Sequence, residues 1–477
     1  LALERTFSPC RVLLLIVFFA FILRFFVAVN TEVIAVDSVE YIRLAKAFSS
    51  GDYMGALDVR RPPLYPALIG LASFVVPDFE FAGRLVSLVF GALTAVLVYF
   101  LGRRVFDEKT GLVAAAFVAA HPYMLRYSGD VLTEALYYFL VAIVALLGLK
   151  AVIEKSPLIM FLAGIAGAFA YLTKPAGLVA LIAITLFAAF ERPGKINSEW
   201  HQRLILLFSL WAVFIIMALP YLVFIYHKTG AVSLTGKISA HAVLSLAGGG
   251  FIEEGNAGMF ARHFPEAWSY PFFALFLLYL FKRLKEGFKR EEKFVLFLAG
   301  FYWLVCLLIL PRRRYLVHMM PVALALPAQG AIYFNEWLKG IFKVRGGAIA
   351  AVSAVILIVA EILTGMASLG KQRVAEKAAG LYIKESMGAG ISILSRKPIT
   401  AFYAEGRFVP LPRDAKFTLK ELFEYGKENS VAYLVDYRAG VRETVTDFND
   451  NALSEVKSFG DRDGKEFVIY RLGPGAT

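Results

Sequence analysis

Residues Leu13–Val29 read LLLIVFFAFILRFFVAV, and sixteen of these seventeen residues are apolar. A stretch of that length is close to the roughly 18–20 residues a helix needs to cross a bilayer. It is not solitary. Leu85–Leu101, Leu136–Leu149, Leu204–Val223 and Ala348–Leu363 are similar, and 58% of the 477 residues are apolar against 18% charged. Soluble domains sit nearer 45–50% apolar. The chain therefore reads as a multi-spanning membrane protein. The opening run is long and no small-residue cleavage motif follows it, so it is expected to be a retained first helix rather than a signal peptide.

The formal net charge is +12. The basic residues fall between apolar runs, which points to the membrane surface and not to nucleic acid. Five loops carry basic clusters: Arg103, Arg104 and Lys109; Lys150 and Lys155; Arg192, Lys195 and Arg203; Lys282 through Lys293; and Lys339, Lys343 and Arg345. If all five are cytoplasmic, an even number of crossings separates each neighbouring pair, and about eleven crossings result. Leu64–Val76 is bounded by Pro62, Pro63 and Pro77 and is too short to cross, so it is placed as a juxtamembrane helix on the outer side. The cysteines, Cys10 and Cys306, are far apart and suggest neither a disulfide framework nor a metal site.

Two domains are expected. Residues 1–369 form an all-α polytopic membrane domain. Residues 370–477 change character, with strand-like Ile391–Leu394, Val431–Val435 and Glu466–Tyr470 and helix-like stretches at 371–387 and 418–428. They are expected to form a small extracytoplasmic α/β domain.

The segments assigned to the outer face hold an unusual set of polar residues. Asp37, Glu40 and Tyr41 stand at i, i+3 and i+4, one face of a helix. Arg60 and Arg61 precede Pro62, with Tyr65 nearby; Arg126, Asp130 and Glu134 share the next outer segment. Lys174 lies between two apolar helices, and Arg312, Arg313, Arg314 and Tyr315 lie between two others. Charge at membrane depth is costly and marks function by default. Cations near the headgroup level suit a lipid phosphate or pyrophosphate. Each feature also has a plainer reading: Asp37 as a helix cap with Glu40 as its partner, Lys174 as a snorkelling side chain, Arg312–Arg314 as lipid-headgroup contacts, and Asp130 and Glu134 as ion-pair partners of Arg126. The convergence of acids and cations on one face favours a site.

Other motifs carry no chemistry. Asp461–Arg462–Asp463 precedes Gly464 between strand-like segments and reads as a hairpin turn. Gly248–Gly250 lacks a preceding strand and reads as flexible chain. His241, Glu253, Glu254 and His263 match no metal-ligand spacing. No Walker motif and no Ser-His-Asp arrangement is present.

The ordered set Asp37–Ser38–Val39–Glu40–Tyr41, Arg61–Pro62–Pro63–Leu64–Tyr65–Pro66, Phe81–Ala82–Gly83–Arg84–Leu85, Gly102–Arg103–Arg104–Val105–Phe106, Thr133–Glu134, Leu172–Thr173–Lys174–Pro175 and Arg314–Tyr315 leading to Pro321 resembles the GT-C glycosyltransferases. Within them it resembles the polyprenyl-phosphate-dependent group of protein O-mannosyltransferases and lipid A aminoarabinose transferases. Ser395–Arg396–Lys397–Pro398 with Ala401–Phe402–Tyr403 extends the likeness into the tail. The resemblance implies a sugar transferred from a dolichyl- or undecaprenyl-phosphate donor to an acceptor hydroxyl at the extracytoplasmic face of a cell membrane, with inversion. It implies Asp37 as the catalytic carboxylate and a second acid from the next outer segment, Glu134 with Asp130 as rival. Lys174, Arg313, Arg314 and Tyr315, with Arg61 and Tyr65, would meet the donor phosphate. The partners implied are the lipid-linked donor, membrane lipids and a protein, glycolipid or polysaccharide acceptor, with no nucleic acid. A divalent metal is compatible with these residues and not demanded by them. The competing class is a transporter or flippase of a lipid-linked sugar, which would favour internal repeats and midplane broken helices.

Overall fold

The computed structural model describes residues 8–190, 196–236, 256–342, 346–367, 369, 373–412, 416–448 and 453–472. Arg192, Lys195, Lys343, Arg345, His241, Glu253, Glu254 and Gly248–Gly250 lie outside the described residues. The chain divides into two compact units. The first comprises Leu1–Ala28 and Tyr41–Met366, and the second comprises Val29–Glu40 and Ala367–Thr477.

The first unit is helical. Among the described residues, six helices are long and apolar enough to span a bilayer: Pro9–Asn30, Phe79–Val105, Glu134–Glu154, Trp200–Thr229, Arg290–Ile309 and Ala348–Met366. Two broken pairs bring the number to eight: Asn256–Trp268 with Tyr270–Glu286, bent by 96°, and Arg313–Ala323 with Ala325–Phe342, bent by 63°. The first break falls at Ser269, whose φ of 65° ends one helix before Pro271 opens the next. The charge pattern gives about eleven crossings because it also counts Glu108–Ala120, Pro157–Thr173 and Gly177–Phe190, helices of 13, 17 and 14 residues. Leu64–Ser73 is a helix of 10 residues, about 15 Å long against a hydrocarbon core of about 30 Å.

Pro9–Asn30 illustrates the logic of the unit. Leu14, Phe18, Ile22 and Phe26 are exposed, as suits a lipid-facing stripe. Arg24, the one charge within Leu13–Val29, is fully buried. Its guanidinium donates to the Val118 carbonyl at 2.9 Å and to Ser128 Oγ at 3.3 Å. A charge that cannot face lipid is satisfied inward.

The second unit is a five-stranded sheet in the order β2-β1-β3-β5-β4. The strands are β1 (Ser392–Ser395), β2 (Arg407–Pro410), β3 (Tyr433–Tyr437), β4 (Ser454–Gly460) and β5 (Glu466–Arg471). β1 lies parallel to both β2 and β3, with Leu394 opposite Val409 and Leu434. β5 runs antiparallel to β3 and β4. Successive residues point to opposite faces, so Ile393, Val435 and Ile469 share a core with Ala379 and Ile383 of helix Val374–Met387. Leu394, Leu434 and Val468 pack instead with Leu422 of helix Leu419–Glu428. Both faces are covered, which is why the inner strands carry apolar residues at consecutive positions, Ile393–Leu394, Leu434–Val435 and Phe467–Tyr470.

Asp461–Arg462–Asp463–Gly464 is the β4–β5 turn: the Asp461 amide donates to the Lys465 carbonyl at 2.8 Å, and Gly464 takes a φ of 73°. Val29–Glu40 belongs to this unit through the Lys377 ammonium on the Glu32 carbonyl at 2.7 Å and Tyr403 Oη on the Ile34 amide at 3.2 Å.

Candidate functional site

Three sequence-distant elements of the first unit meet at Glu134. Glu134 opens helix Glu134–Glu154 and is fully buried. A carboxylate in the first turn is favoured by the amides and dipole of a helix N-terminus. Thr133 Oγ1 also reaches its Oε2, at 3.4 Å.

Lys174 ends helix Pro157–Thr173. Pro175 pushes the residue before it out of helical geometry, and Lys174 is extended with φ −156° and ψ 127°. The next helix begins at Gly177, where a Cβ would stand 2.6 Å from the Tyr171 nitrogen. This tight corner delivers the Lys174 ammonium to Glu134 Oε1 at 2.7 Å.

Arg314 comes from the other side. Pro311 follows the end of helix Arg290–Ile309, Leu310 and Arg312 are extended, and a short turn Arg313–Leu316 follows. The Trp303 indole donates to the Leu316 carbonyl at 3.0 Å and anchors that turn. Arg314 Nε donates to the same Glu134 oxygen.

The site extends to His318, which sequence reasoning did not single out. Its Nε2 lies 3.0 Å from Lys174 Nζ, and its Nδ1 lies 2.6 Å from the Tyr302 hydroxyl. An ammonium only donates, so Nε2 accepts and Nδ1 carries the proton towards Tyr302. Tyr137 packs against the imidazole with ring centroids 4.9 Å apart. The available signal was position: His318 follows Arg314 by four residues, one helical turn on.

The remaining candidates are placed as follows. Arg313 lies over the Tyr123 ring and donates to Glu266 at 3.3 Å, away from Glu134. Tyr315 is half-buried, its ring 5.7 Å from that of His318. Arg61 lies over the Tyr41 ring at 6.0 Å. Tyr65 is fully buried and shares a hydrogen bond of 2.7 Å with Ser87 Oγ. Asp130 accepts from the Val131 amide at 2.7 Å. Arg126 is exposed, and Glu134 pairs instead with Lys174 and Arg314. Asp37 lies in the second unit, in the first turn of helix Val36–Ser49 rather than ahead of it as a cap. Among the described residues no three His, Cys, Asp or Glu side chains gather as metal ligands would.

Chemically, the arrangement fixes two cations at one point. The Lys174 and Arg314 side chains keep 16% and 32% of their surface while the carboxylate between them keeps none. Arginine has five N–H donors and lysine three, so both can hold Glu134 and an anion at once.

Comparison with known proteins bears on this geometry. A family model described as dolichyl-phosphate-mannose-protein mannosyltransferase matches residues 60–224, about a third of the chain. ArnT from Cupriavidus metallidurans, solved bound to undecaprenyl phosphate, superposes with a TM-score of 0.63 over 97% of this chain and 98% of that one, at 13% identity. The chain has the GT-C glycosyltransferase fold. A second GT-C structure, the oligosaccharyltransferase AglB from Archaeoglobus fulgidus with an inhibitory peptide and a dolichol-phosphate, gives 0.60 at 14% identity, over 96% of this chain and 74% of that one. An oligosaccharyltransferase from Archaeoglobus fulgidus in complex with zinc and sulfate gives 0.61 at 15% identity, over 96% of this chain and 72% of that one. No curated protein sequence matches the chain. Lys174 and Glu134 fall within the matched family segment, and Asp37 and Arg314 fall outside it.

Proposed function

We propose that this multi-pass membrane protein is a glycosyltransferase. It moves a sugar from a polyprenyl-phosphate donor to an acceptor hydroxyl at the extracytoplasmic face, with inversion. The observation that carries this reading is the meeting of Lys174 and Arg314 on buried Glu134. Buried ion pairs are poor stabilisers, and apolar side chains of similar volume often serve the fold as well. A cluster of this kind is better explained by a task, and holding a lipid phosphate is the task it suits.

The acceptor oxygen attacks the anomeric carbon as the bond from that carbon to the phosphate oxygen breaks, and the electron pair leaves on the phosphate. Lys174 and Arg314 stabilise the negative charge that grows there, as fixed donors do in a water-poor site. The acceptor proton passes to a carboxylate. The resemblance assigns that role to Asp37, with in-line positioning of the acceptor as its second contribution. Glu134 is then a positioning residue: its charge is committed to the two cations, which leaves it poorly suited to act as base. Asp130 is the alternative second acid. Tyr315 and Arg61 complete the donor contacts. Arg313 supports the rim through Glu266, and Tyr65 supports Tyr41, whose ring it meets edge-on at 5.4 Å.

The family description and the lipids bound to the two structural relatives, undecaprenyl phosphate and dolichol-phosphate, support the donor class. The acceptor class is tested by offering protein, glycolipid and polysaccharide hydroxyls in turn. The decisive experiment measures transfer from a polyprenyl-phosphate sugar by Lys174→Ala and Arg314→Ala. Each loses charge-assisted contacts worth about 1.5–3 kcal/mol, so donor KM should rise roughly tenfold to hundredfold. Unchanged donor KM in both variants would overturn the assignment.

A further inference from the structure

The second unit has a cavity of its own. It measures about 260 Å³ and lies where the parallel strands β1 and β3 end. The chain leaves β1 through helix Ile399–Tyr403 towards β2 on one side, and β3 continues towards β5 and β4 on the other. Connections that diverge from two adjacent parallel strands open a crevice at their carboxyl ends, and ligands of open α/β sheets bind there. The residues at the two strand ends are polar: Ser395 closes β1 with Arg396 and Lys397 after it, and Asp436 and Tyr437 close β3.

The chemistry of the lining narrows the ligand. Glu376 and Asp436 are only 3% and 5% exposed, so two carboxylates sit almost out of water. Each faces one cation of the same cavity: Lys397 Nζ is 3.7 Å from Glu376 Oε1, and Arg396 Nε is 2.9 Å from Asp436 Oδ2. The charges of these four side chains cancel. A phosphate would have to lie against two carboxylates, and a cation against an arginine and a lysine. An apolar molecule would strand both pairs. Arg396 Nε and Asp436 Oδ2 face one another in a geometry that completes no hydrogen bond, which leaves capacity for a partner that both donates and accepts. Phe467 and Tyr437, edge to face at 4.9 Å, supply an apolar side. Hydroxyls on a ring with one C–H face meet all these requirements. Burial pushes both carboxyls above their ordinary range, against the pull of Lys397 and Arg373 on Glu376 and of Arg396 on Asp436. The crevice is therefore dry enough for a ligand's hydrogen bonds to count.

We infer that the crevice between the ends of β1 and β3 is a binding site for a single neutral sugar residue. The volume is just under the roughly 300–1,000 Å³ of drug-sized pockets, which suits one ring rather than an oligosaccharide. The inference rests on the glycosyltransferase reading only for the supply of saccharide, and no donor or turnover enters its test. In that setting the site would hold a sugar unit of the acceptor or of the product.

The full chain is placed in lipid nanodiscs free of glycoside detergent and titrated with the methyl glycosides of glucose, mannose and galactose by saturation-transfer NMR. Inorganic phosphate is the competing probe. At least one glycoside should bind saturably, phosphate should not displace it, and Asp436→Asn and Lys397→Met should each weaken it tenfold or more. Lys174→Ala should leave it unchanged. Lys397 is partly exposed, so Lys397→Met decides the matter even where Asp436→Asn folds poorly. Absence of saturable glycoside binding, binding that survives in a folded Lys397→Met variant, or displacement by phosphate would each overturn the inference. Failure of the wild type to transfer sugar would instead refute the glycosyltransferase reading and leave this result standing.

Discussion

Replacing Glu134 by glutamine keeps the shape of the side chain and removes its charge. Glu134 is fully buried and takes hydrogen bonds from both Lys174 and Arg314. Removing one partner of a fully buried pair costs about 3–5 kcal/mol. Here the cations keep 16% and 32% of their side-chain surface, so water recovers part of their solvation. The lower end, about 3 kcal/mol, is therefore expected. An amide oxygen can still accept from one cation, but its nitrogen repels the other. Lys174 and Arg314 lose their common anchor, and the donor must order them on binding. The assay is steady-state transfer from a polyprenyl-phosphate sugar with donor and acceptor varied separately. Donor KM should rise tenfold or more, and Glu134→Asp, which keeps the charge on a shorter stem, should recover part of the loss. A fall in kcat of about 10²–10⁴ with donor KM unchanged would make Glu134 the general base and refute its role as an anchor. No change in either would refute the cluster altogether.

Asp37→Asn should lower turnover by about 10²–10⁴ if Asp37 is the base, measured on protein of equal folding; near wild-type turnover would move the role to Asp130 or Glu134. The second unit should gain stability in mild acid. The carboxyls of Glu376 and Asp436 titrate above their unfolded values, so the folded state holds its protons more tightly; that stability is full below the unfolded pKa values and is lost as pH rises through the folded ones. Hydrogen-exchange protection of β1 and β3, corrected for intrinsic rates, should therefore rise as pH falls, and Glu376→Gln with Asp436→Asn should abolish the trend. Topology is tested by removing exposed Cys10 and placing Asp463→Cys at the exposed β4–β5 turn. The thiol should label from the extracytoplasmic side, and labelling only from the cytoplasm would sink the orientation.

The legibility of the chain follows its physics. Apolar run length exposed the long helices directly, and the proline-bounded Leu64–Ser73 was readable as a short helix because its ends are marked. β1, β3 and β5 were visible as strand-like segments, their apolar residues packing on the two covered faces of the sheet. β2 and β4 were not, since they are edge strands with mostly exposed or half-exposed residues. The attachment of Val29–Glu40 to the second unit is a long-range contact with no local signature. At the site, Lys174, Arg314 and Glu134 stood out as charges among apolar residues. What joins them is tertiary, so the sequence could not separate Glu134 from Asp130 or Arg314 from Arg313. His318 was hidden because a lone histidine in an apolar stretch carries no pattern.

The most direct test of the account is the structure of the protein with a polyprenyl phosphate bound. The account predicts the phosphate oxygens at about 2.7–2.9 Å from Lys174 Nζ and a guanidinium nitrogen of Arg314, the spacing of charge-assisted hydrogen bonds, with Glu134 still holding both cations. A phosphate bound elsewhere, with Lys174 and Arg314 in contact only with protein, would contradict it.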